Sequence, residues 1–219
     1  MTDRPDDTQT TAWSLVLPVK RLDTAKSRLR GPAAAHRAAL ALAFAADTVV
    51  AALATPGVGE VVVVTDDPAA AAFTAALGAH VVPDQPDAGL NAALAWGAAV
   101  ARQRAPHAGV AALSADLPAL RSDELAAVLA FATAADSAVV VADVHGSGST
   151  AYLATTTVPF APAFGADSLR AHLAGGAVAF PGEGVPSVRQ DVDTLDDLWA
   201  AVTLGVGPHT MAVVQLIEP

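Results

Sequence analysis

The sequence predicts an α/β fold: three layers, with a mostly parallel sheet between helices. Two patterns carry that expectation. Short Val-rich runs alternate with longer Ala- and Leu-rich segments of helical period, as where "EVVVVTD" (60–66) precedes "PAAAAFTAAL" (68–77). The Val-rich runs also lack polar alternation, so each is expected to be buried on both faces. Strands of that kind belong to βαβ units with right-handed crossovers.

The first strand is "WSLVLPV" (13–19), followed by a basic loop and a helix over about 33–54. Within that helix, "AALALAFAADTVVAALA" (38–54) is the most membrane-like run in the chain. Asp47 near its middle and the stop at Pro56-Gly57 favour a buried amphipathic helix over a membrane span. The second strand is 60–66, and Asp67-Pro68 starts the next helix, with Pro in the first helical position. A third strand at 79–84, a helix at 90–104 and a fourth strand at 109–118 follow. The next helix begins near Ser122, with acids in its first turn where the helix dipole favours them, and "SAVVVAD" (137–143) is a fifth strand.

Beyond residue 150 the pattern is less regular, with Pro- and Gly-rich turns and short helices near 167–174 and 194–204. We expect one domain over 13–207, a disordered N-terminal tail over 1–12, and a loose C-terminal tail over 208–219. The polar loops at 20–30, 65–68, 83–89, 114–118 and 143–150 fall at the carboxyl ends of the strands, where sheets of this kind bind ligands.

With 12 Lys and Arg against 22 Asp and Glu, the formal net charge is -10. That balance argues against nucleic acid as a partner, because a general binder needs a basic face to displace counterions. The absence of cysteine removes disulfides and thiolate chemistry and fits a reducing cytoplasm. The polar, acidic start "MTDRPDDTQT" does not resemble a secretory signal.

Against that acidic background, "LPVKRLDTAKSRLR" (17–30) gathers Lys20, Arg21, Lys26, Arg28 and Arg30 behind the first strand, and Lys20 and Lys26 are the only lysines. No G-x-x-x-x-G-K-[ST] or G-x-G-x-x-G accompanies them. The cations suit a polyphosphate that is losing a leaving group; charge alone fits a solvated loop equally well. Asp116 in "SADLPAL" lies just past a strand and is suited to a divalent cation, or to capping the next turn. Asp191 and Asp193 in "RQDVDTLDDL" share one side of an extended segment, and with Asp116 they could form one acidic site. Asp196 and Asp197 belong in the first turn of the last helix.

In "DVHGSGSTAYL", Gly146 and Gly148 let backbone N–H groups approach an anion, to which the Thr150 hydroxyl can also donate. Gly165 and Ser168 in "FGADSLRAH" fall at a helix start, another place that favours an anion. Gly89 and Asn91 in "PDQPDAGLNAAL" offer close backbone approach and an amide able to read a base or ribose, or simply a helix-start loop. His172 is expected in packing or at the surface.

The motifs run in the order L-P-V-K-x-x-x-x-A-K-S-R-L, G-L-N-x-A-L, x-A-D-L-P, D-x-x-G-x-G-x-T, F-G-x-x-S and D-V-D-T-x-x-D-L. That order resembles the 2-phospho-L-lactate and phosphoenolpyruvate guanylyltransferases of deazaflavin-coenzyme (coenzyme F420) biosynthesis, over about residues 13–207. The resemblance implies a nucleotidyltransferase fold, Rossmann-like and related to the glycosyltransferase-A and molybdenum-cofactor guanylyltransferase folds. It implies GMP transfer from GTP to phosphoenolpyruvate, the acceptor of the actinobacterial form, or to 2-phospho-L-lactate or 3-phosphoglycerate in relatives. By position it also implies that Thr150, Gly165 and Ser168 bind phosphoenolpyruvate and that Asp116, Asp191 and Asp193 hold Mg2+. Lys20 and Lys26 would then act on the triphosphate as catalytic residues, with Arg28, Gly89 and Asn91 on the nucleotide. The product would pass to a downstream transferase of the same pathway. A nucleotidyltransferase of this fold that uses CTP, or a molybdopterin (molybdenum-cofactor) or sugar-phosphate acceptor, and a nucleotide-sensing domain are the other readings.

Overall fold

In the computed structural model, residues 12–85 and 87–217 are described, and seven strands form one sheet. The expected N-terminal tail lies outside these residues apart from residue 12. β1 (Trp13–Pro18) leads through the basic loop and a 3₁₀ segment, Gly31–His36, into α1 (Arg37–Leu53). β2 (Val58–Val64), α2 (Pro68–Ala76), β3 (His80–Val82), α3 (Leu90–Arg104), β4 (Gly109–Leu113) and α4 (Ser122–Ala134) follow. The second half comprises β5 (Val139–Ala142), β6 (Ser149–Ala154), α5 (Ser168–Ala174), β7 (Val178–Ala179), α6 (Pro186–Arg189), α7 (Leu195–Leu204) and α8 (Pro208–Val214).

The strand order is β3-β2-β1-β4-β6-β5-β7. Every pairing is parallel except those of β6, which runs antiparallel between β4 and β5. Period-two alternation divides the strand side chains between two faces. Leu15, Leu17, Val61 and Val63 point to one face, under α1 and α4, while Val16, Val62 and Val64 point to the other, under α3. These are the three expected layers. Gly97 lets α3 lie close on the sheet, because a Cβ there would collide with Val16 and Val64.

Two expectations are corrected. Ser149 and Thr150 open a buried strand, β6, rather than a glycine-rich turn. The preceding glycines masked its start, and its pairing on both sides supplies the hydrogen bonds that a short run of modest β-propensity could not secure alone. The stretch 208–219, read as a loose tail, contains α8, which packs on α1. Its first turn is tied to Asp47, whose carboxylate accepts from the backbone N–H groups of His209 (3.1 Å) and Thr210 (2.8 Å). Asp47 is therefore the buried partner of a helix N-terminus. The segment Gly31–Leu53 is long and apolar enough to cross a membrane, but its outer side is covered by α7 and α8.

Candidate active site

A third cluster of apolar side chains, apart from the two sheet faces, positions the site. Leu40 and Phe44 of α1 pack with Leu198 and Ala201 of α7, Val214 of α8 and Ile217, and into this cluster are inserted Leu29 and Val192. Leu29 lies three residues after Lys26, and Val192 lies between Asp191 and Asp193. Burying Val192 turns both flanking carboxylates away from the core, as period-two geometry requires. Val192 N–H also donates to the Asp116 carbonyl (3.1 Å), which joins the two acidic segments side by side. The Asp116 loop is fixed from α1: Thr48 Oγ1 accepts from Leu117 N–H (3.1 Å) and donates to the Phe44 carbonyl (2.7 Å).

The basic loop closes over this acidic edge. Lys26 Nζ bonds Asp116 Oδ2 and lies 3.3 Å from Asp193 Oδ1, with only 11% of its side chain exposed. Arg28 Nη2 reaches Asp193 Oδ2 at 2.5 Å from a largely exposed position. Lys26 has φ +55°, a left-handed conformation that costs a side-chain-bearing residue about 1–2 kcal/mol. Burial disfavours the Lys26 ammonium, but Asp116 and Asp193 outweigh it and its pKa is raised. Lys20 is exposed on the rim of the same pocket and makes no ion pair among the described residues. The pocket, about 280 Å³, is walled by Lys20, Lys26, Arg28, Leu90, Asp116 and Asp193, among others.

Asp191 stands beside this group. Burial first, then the neighbouring charges of Asp116 and Asp193, push its pKa up to about 7; Lys26 opposes them, and Asp143 adds to the rise. This corner therefore holds more negative charge than its lysine neutralises. Three carboxylates facing the two cations Lys26 and Arg28 leave a surplus of up to one negative charge, and hard oxygen donors of this kind fit a divalent cation such as Mg2+, which takes one or two carboxylates and completes its shell with phosphate or water. The three do not already stand as a ligand cluster. Among the described residues no group of three His, Cys, Asp or Glu side chains has metal-holding geometry, and the Lys26 ammonium lies between Asp116 and Asp193.

Thr150 joins the site through its backbone: its carbonyl accepts from Ser114 N–H (2.8 Å), two residues before Asp116. Its Oγ1 is buried and, among the described residues, has no hydrogen-bond partner. Such a hydroxyl is costly in a folded protein unless a ligand satisfies it. Gly165 (φ +140°) is exposed in the loop before α5, with open space where a Cβ would stand. Ser168 is nearly inaccessible, and its hydroxyl donates to Ser149 Oγ (3.2 Å).

The nucleotide assignments in the 89–91 segment divide. Gly89 has φ +94° at the start of α3 and leaves open space beside it. Asn91, expected on the nucleotide, engages the backbone of Phe164: Oδ1 accepts from Phe164 N–H (2.8 Å) and Nδ2 donates to the Phe164 carbonyl (2.9 Å). Its donor–acceptor edge is closed on the backbone because α3 packs directly against the 163–168 loop.

Other residues matter that single motifs did not reveal. Asp143 accepts from Ser147 N–H (3.0 Å) and Gly148 N–H (2.9 Å), shaping the turn into Thr150. Asp197 accepts from Asp193 N–H (3.2 Å) and from the Thr194 N–H and hydroxyl (both 2.7 Å), which holds the D-V-D segment at the start of α7. Burial works against its ionisation, but these donors win and its pKa is lowered. The T-x-x-D spacing signalled the capping box; its second task, holding Asp193, depends on the fold.

The MobA-like NTP transferase domain model matches residues 45–179. A phosphoenolpyruvate guanylyltransferase of Thermomonospora curvata is 58% identical over 201 residues, covering 92% of this chain and 88% of the relative. One of Streptomyces coelicolor is 57% identical, covering 92% and 95%, and one of Streptosporangium roseum is 51% identical, covering 96% and 94%. Among solved structures, a nucleotide-diphospho-sugar transferase of Desulfovibrio desulfuricans superposes with a TM-score of 0.67 at 17% identity, covering 94% of this chain and 97% of that one. A nucleotidyl transferase of Methanothermobacter superposes with a TM-score of 0.56 at 17% identity, covering 88% and 97%. These two likenesses establish the nucleotidyltransferase fold. With most of the chain matched at more than half identity and the domain model covering more than half of it, the chain belongs to the phosphoenolpyruvate guanylyltransferase family of MobA-like nucleotidyltransferases.

Proposed function

We propose that the protein transfers GMP from GTP to phosphoenolpyruvate. A phosphate oxygen of phosphoenolpyruvate attacks the α-phosphorus of GTP in line, and the bond from that phosphorus to the β-bridging oxygen breaks. The products are enolpyruvoyl-2-diphospho-5'-guanosine and pyrophosphate. The attacking oxygen is already anionic, so no general base is needed. The chain's work is to bring two anions together and to stabilise charge on the leaving group.

One observation carries this reading: cations and carboxylates meet at a single pocket, with Lys26 bridging Asp116 and Asp193. Lys20 and Lys26 neutralise the β- and γ-phosphates, and Arg28 adds charge from the rim. Gly89 lets the backbone at the start of α3 approach the nucleotide. Asp116, Asp191 and Asp193 would hold a divalent cation, Mg2+, which supplies positive charge against the phosphates of both substrates. Thr150 donates to the acceptor from its buried hydroxyl, the Gly165 backbone lies against it, and Ser168 shapes its seat. Phosphoenolpyruvate, rather than 2-phospho-L-lactate or 3-phosphoglycerate, is favoured by the names of the relatives. The product is labile and suits direct use by a downstream transferase that builds the deazaflavin coenzyme.

Mass spectrometry of products from GTP, Mg2+ and an equimolar mixture of phosphoenolpyruvate and 2-phospho-L-lactate tests the reading. The enolpyruvoyl product should dominate. A lactyl product would reassign the acceptor, and GTP binding without pyrophosphate release under any acceptor would point to a sensing domain.

A further inference from the structure

We propose that Asn91 and His172 are positioning residues that hold the 163–168 loop in register with the nucleotide pocket, so that acceptor and donor meet in line. This rests on the reading of Gly165 and Ser168 as part of the acceptor seat.

The loop has irregular backbone. Gly165 and Asp167 both have positive φ, at +140° and +53°, and no ladder or helix satisfies the polar groups of Ala163 and Phe164. Side chains from two different helices do so instead. Asn91, in the first turn of α3, closes both halves of its amide on Phe164, 73 residues away. His172, on α5 and 2% exposed, accepts from Ala163 N–H at Nε2 (2.8 Å). A backbone N–H can only donate, so Nε2 carries the lone pair and the proton of the neutral ring is on Nδ1. That Nδ1–H faces Ser149 Oγ at 3.1 Å, and Ser149 Oγ also receives the Ser168 hydroxyl at 3.2 Å. The ring is further fixed by stacking on Tyr152 (4.7 Å between centroids) and by the edge of Phe164 (5.0 Å).

His172 therefore joins the two walls of the proposed acceptor seat. One is β6, where Ser149 immediately precedes Thr150 in the chain. The other is the loop that carries Gly165 and ends at Ser168. Asn91 adds the third link, since its neighbour Leu90 lines the pocket of Lys20 and Lys26. Together the two side chains set the distance between acceptor and nucleotide without touching either. A displacement of about 1 Å in such a register costs on the order of a hundredfold in rate.

The test uses full-length variants and steady-state kinetics with GTP and phosphoenolpyruvate each varied. Asn91→Leu keeps the volume and removes both hydrogen bonds. His172→Phe keeps an aromatic ring against Tyr152 and removes both of the imidazole's bonds. His172→Gln retains an acceptor for Ala163 and a donor for Ser149. We expect kcat/KM for phosphoenolpyruvate to fall about tenfold or more in the first two variants, through a lower kcat, a higher KM for phosphoenolpyruvate or both, with KM for GTP within about twofold and most of the loss recovered in His172→Gln. If Asn91→Leu does not fold, Asn91→Asp, which keeps the acceptor for Phe164 N–H, should show the same split at smaller size. Equal changes in both KM values, or kcat and KM for phosphoenolpyruvate both unchanged, would reduce these residues to ordinary packing. A wild-type chain that forms no product from phosphoenolpyruvate would remove the functional reading and this inference with it.

Discussion

Lys26 combines three features that are rarely found together in one lysine: a left-handed backbone, near-complete burial and contact with two carboxylates. Each is unfavourable or neutral for stability alone, because buried ion pairs seldom repay their desolvation. Their coincidence is what the proposed role of Lys26 at the phosphates requires. Replacing Lys26 with Ala should lower turnover about a hundredfold or more, measured as pyrophosphate release, on the scale of a lost electrostatic donor. Turnover near wild type would take the basic loop out of the mechanism. His172 makes a prediction in pH. Burial lowers its pKa from 6.5, against a smaller opposing hydrogen bond to the Ser168 backbone, so the folded protein takes up its proton later than the unfolded chain. Its contribution to stability is complete above about pH 6.5 and is lost as pH falls below that value. Asp191, with its raised pKa, acts in the opposite direction over the same range and does so in wild type and variant alike, so from pH 7 to pH 5.5 the melting temperature of the wild type should fall relative to that of the His172→Gln variant. Both residues were visible in the sequence; their environments were not, because each is built from partners far along the chain.

At the level of elements, helix starts were the most legible features. Asp67-Pro68 begins α2 as expected: the Asp67 carboxylate accepts from Ala69 N–H (2.9 Å) and Ala70 N–H (3.0 Å). Its other oxygen accepts from Leu22 N–H (3.0 Å), and that bond is the largest contribution to its lowered pKa. The cap thus also anchors the start of the basic loop. Asp67→Ala should destabilise the protein by about 1 kcal/mol, a drop of about 2–4 °C in Tm, with a further fall in turnover from a looser loop. A loss of stability with unchanged kinetics would separate the two roles. Strand β6 was less legible because "STAYLA" is short, follows glycines and is stabilised by neighbours on both sides. The first helix came out as expected apart from its opening turn, which is 3₁₀ and begins with Pro32 in place of a side-chain cap.

Across the whole molecule, the edge that carries the candidate site depends on a core that joins the first loop to the last segments of the described chain. Leu29 comes from the first loop, while Val192, Leu198, Val214 and Ile217 come from the last thirty residues. A chain truncated after Gly207 would lose the cover over Phe44 and leave the Asp47 carboxylate buried without its two N–H donors. An unpaired buried charge alone is worth about 3–5 kcal/mol. We expect such a truncation to melt well below the full-length protein and to lose turnover even at temperatures where it remains folded. Full turnover by a stable truncated chain would show that α8 does not support the site.

The sequence by itself determined the layered α/β class, most helix starts and the residue types from which the site is made. These follow from local rules, since period, capping and turn chemistry act over a few residues. It also determined that Asp191 and Asp193 share a side, because Val192 between them is apolar. Only the tertiary structure decided that Lys26 meets Asp116 across 90 residues and Asp193 across 167. It likewise decided that Asn91 holds the Phe164 backbone, that Asp47 caps α8 and that the Asp191 pKa is pushed up to about 7. Burial and the sum of neighbouring charges depend on how distant segments pack together, which no local pattern encodes.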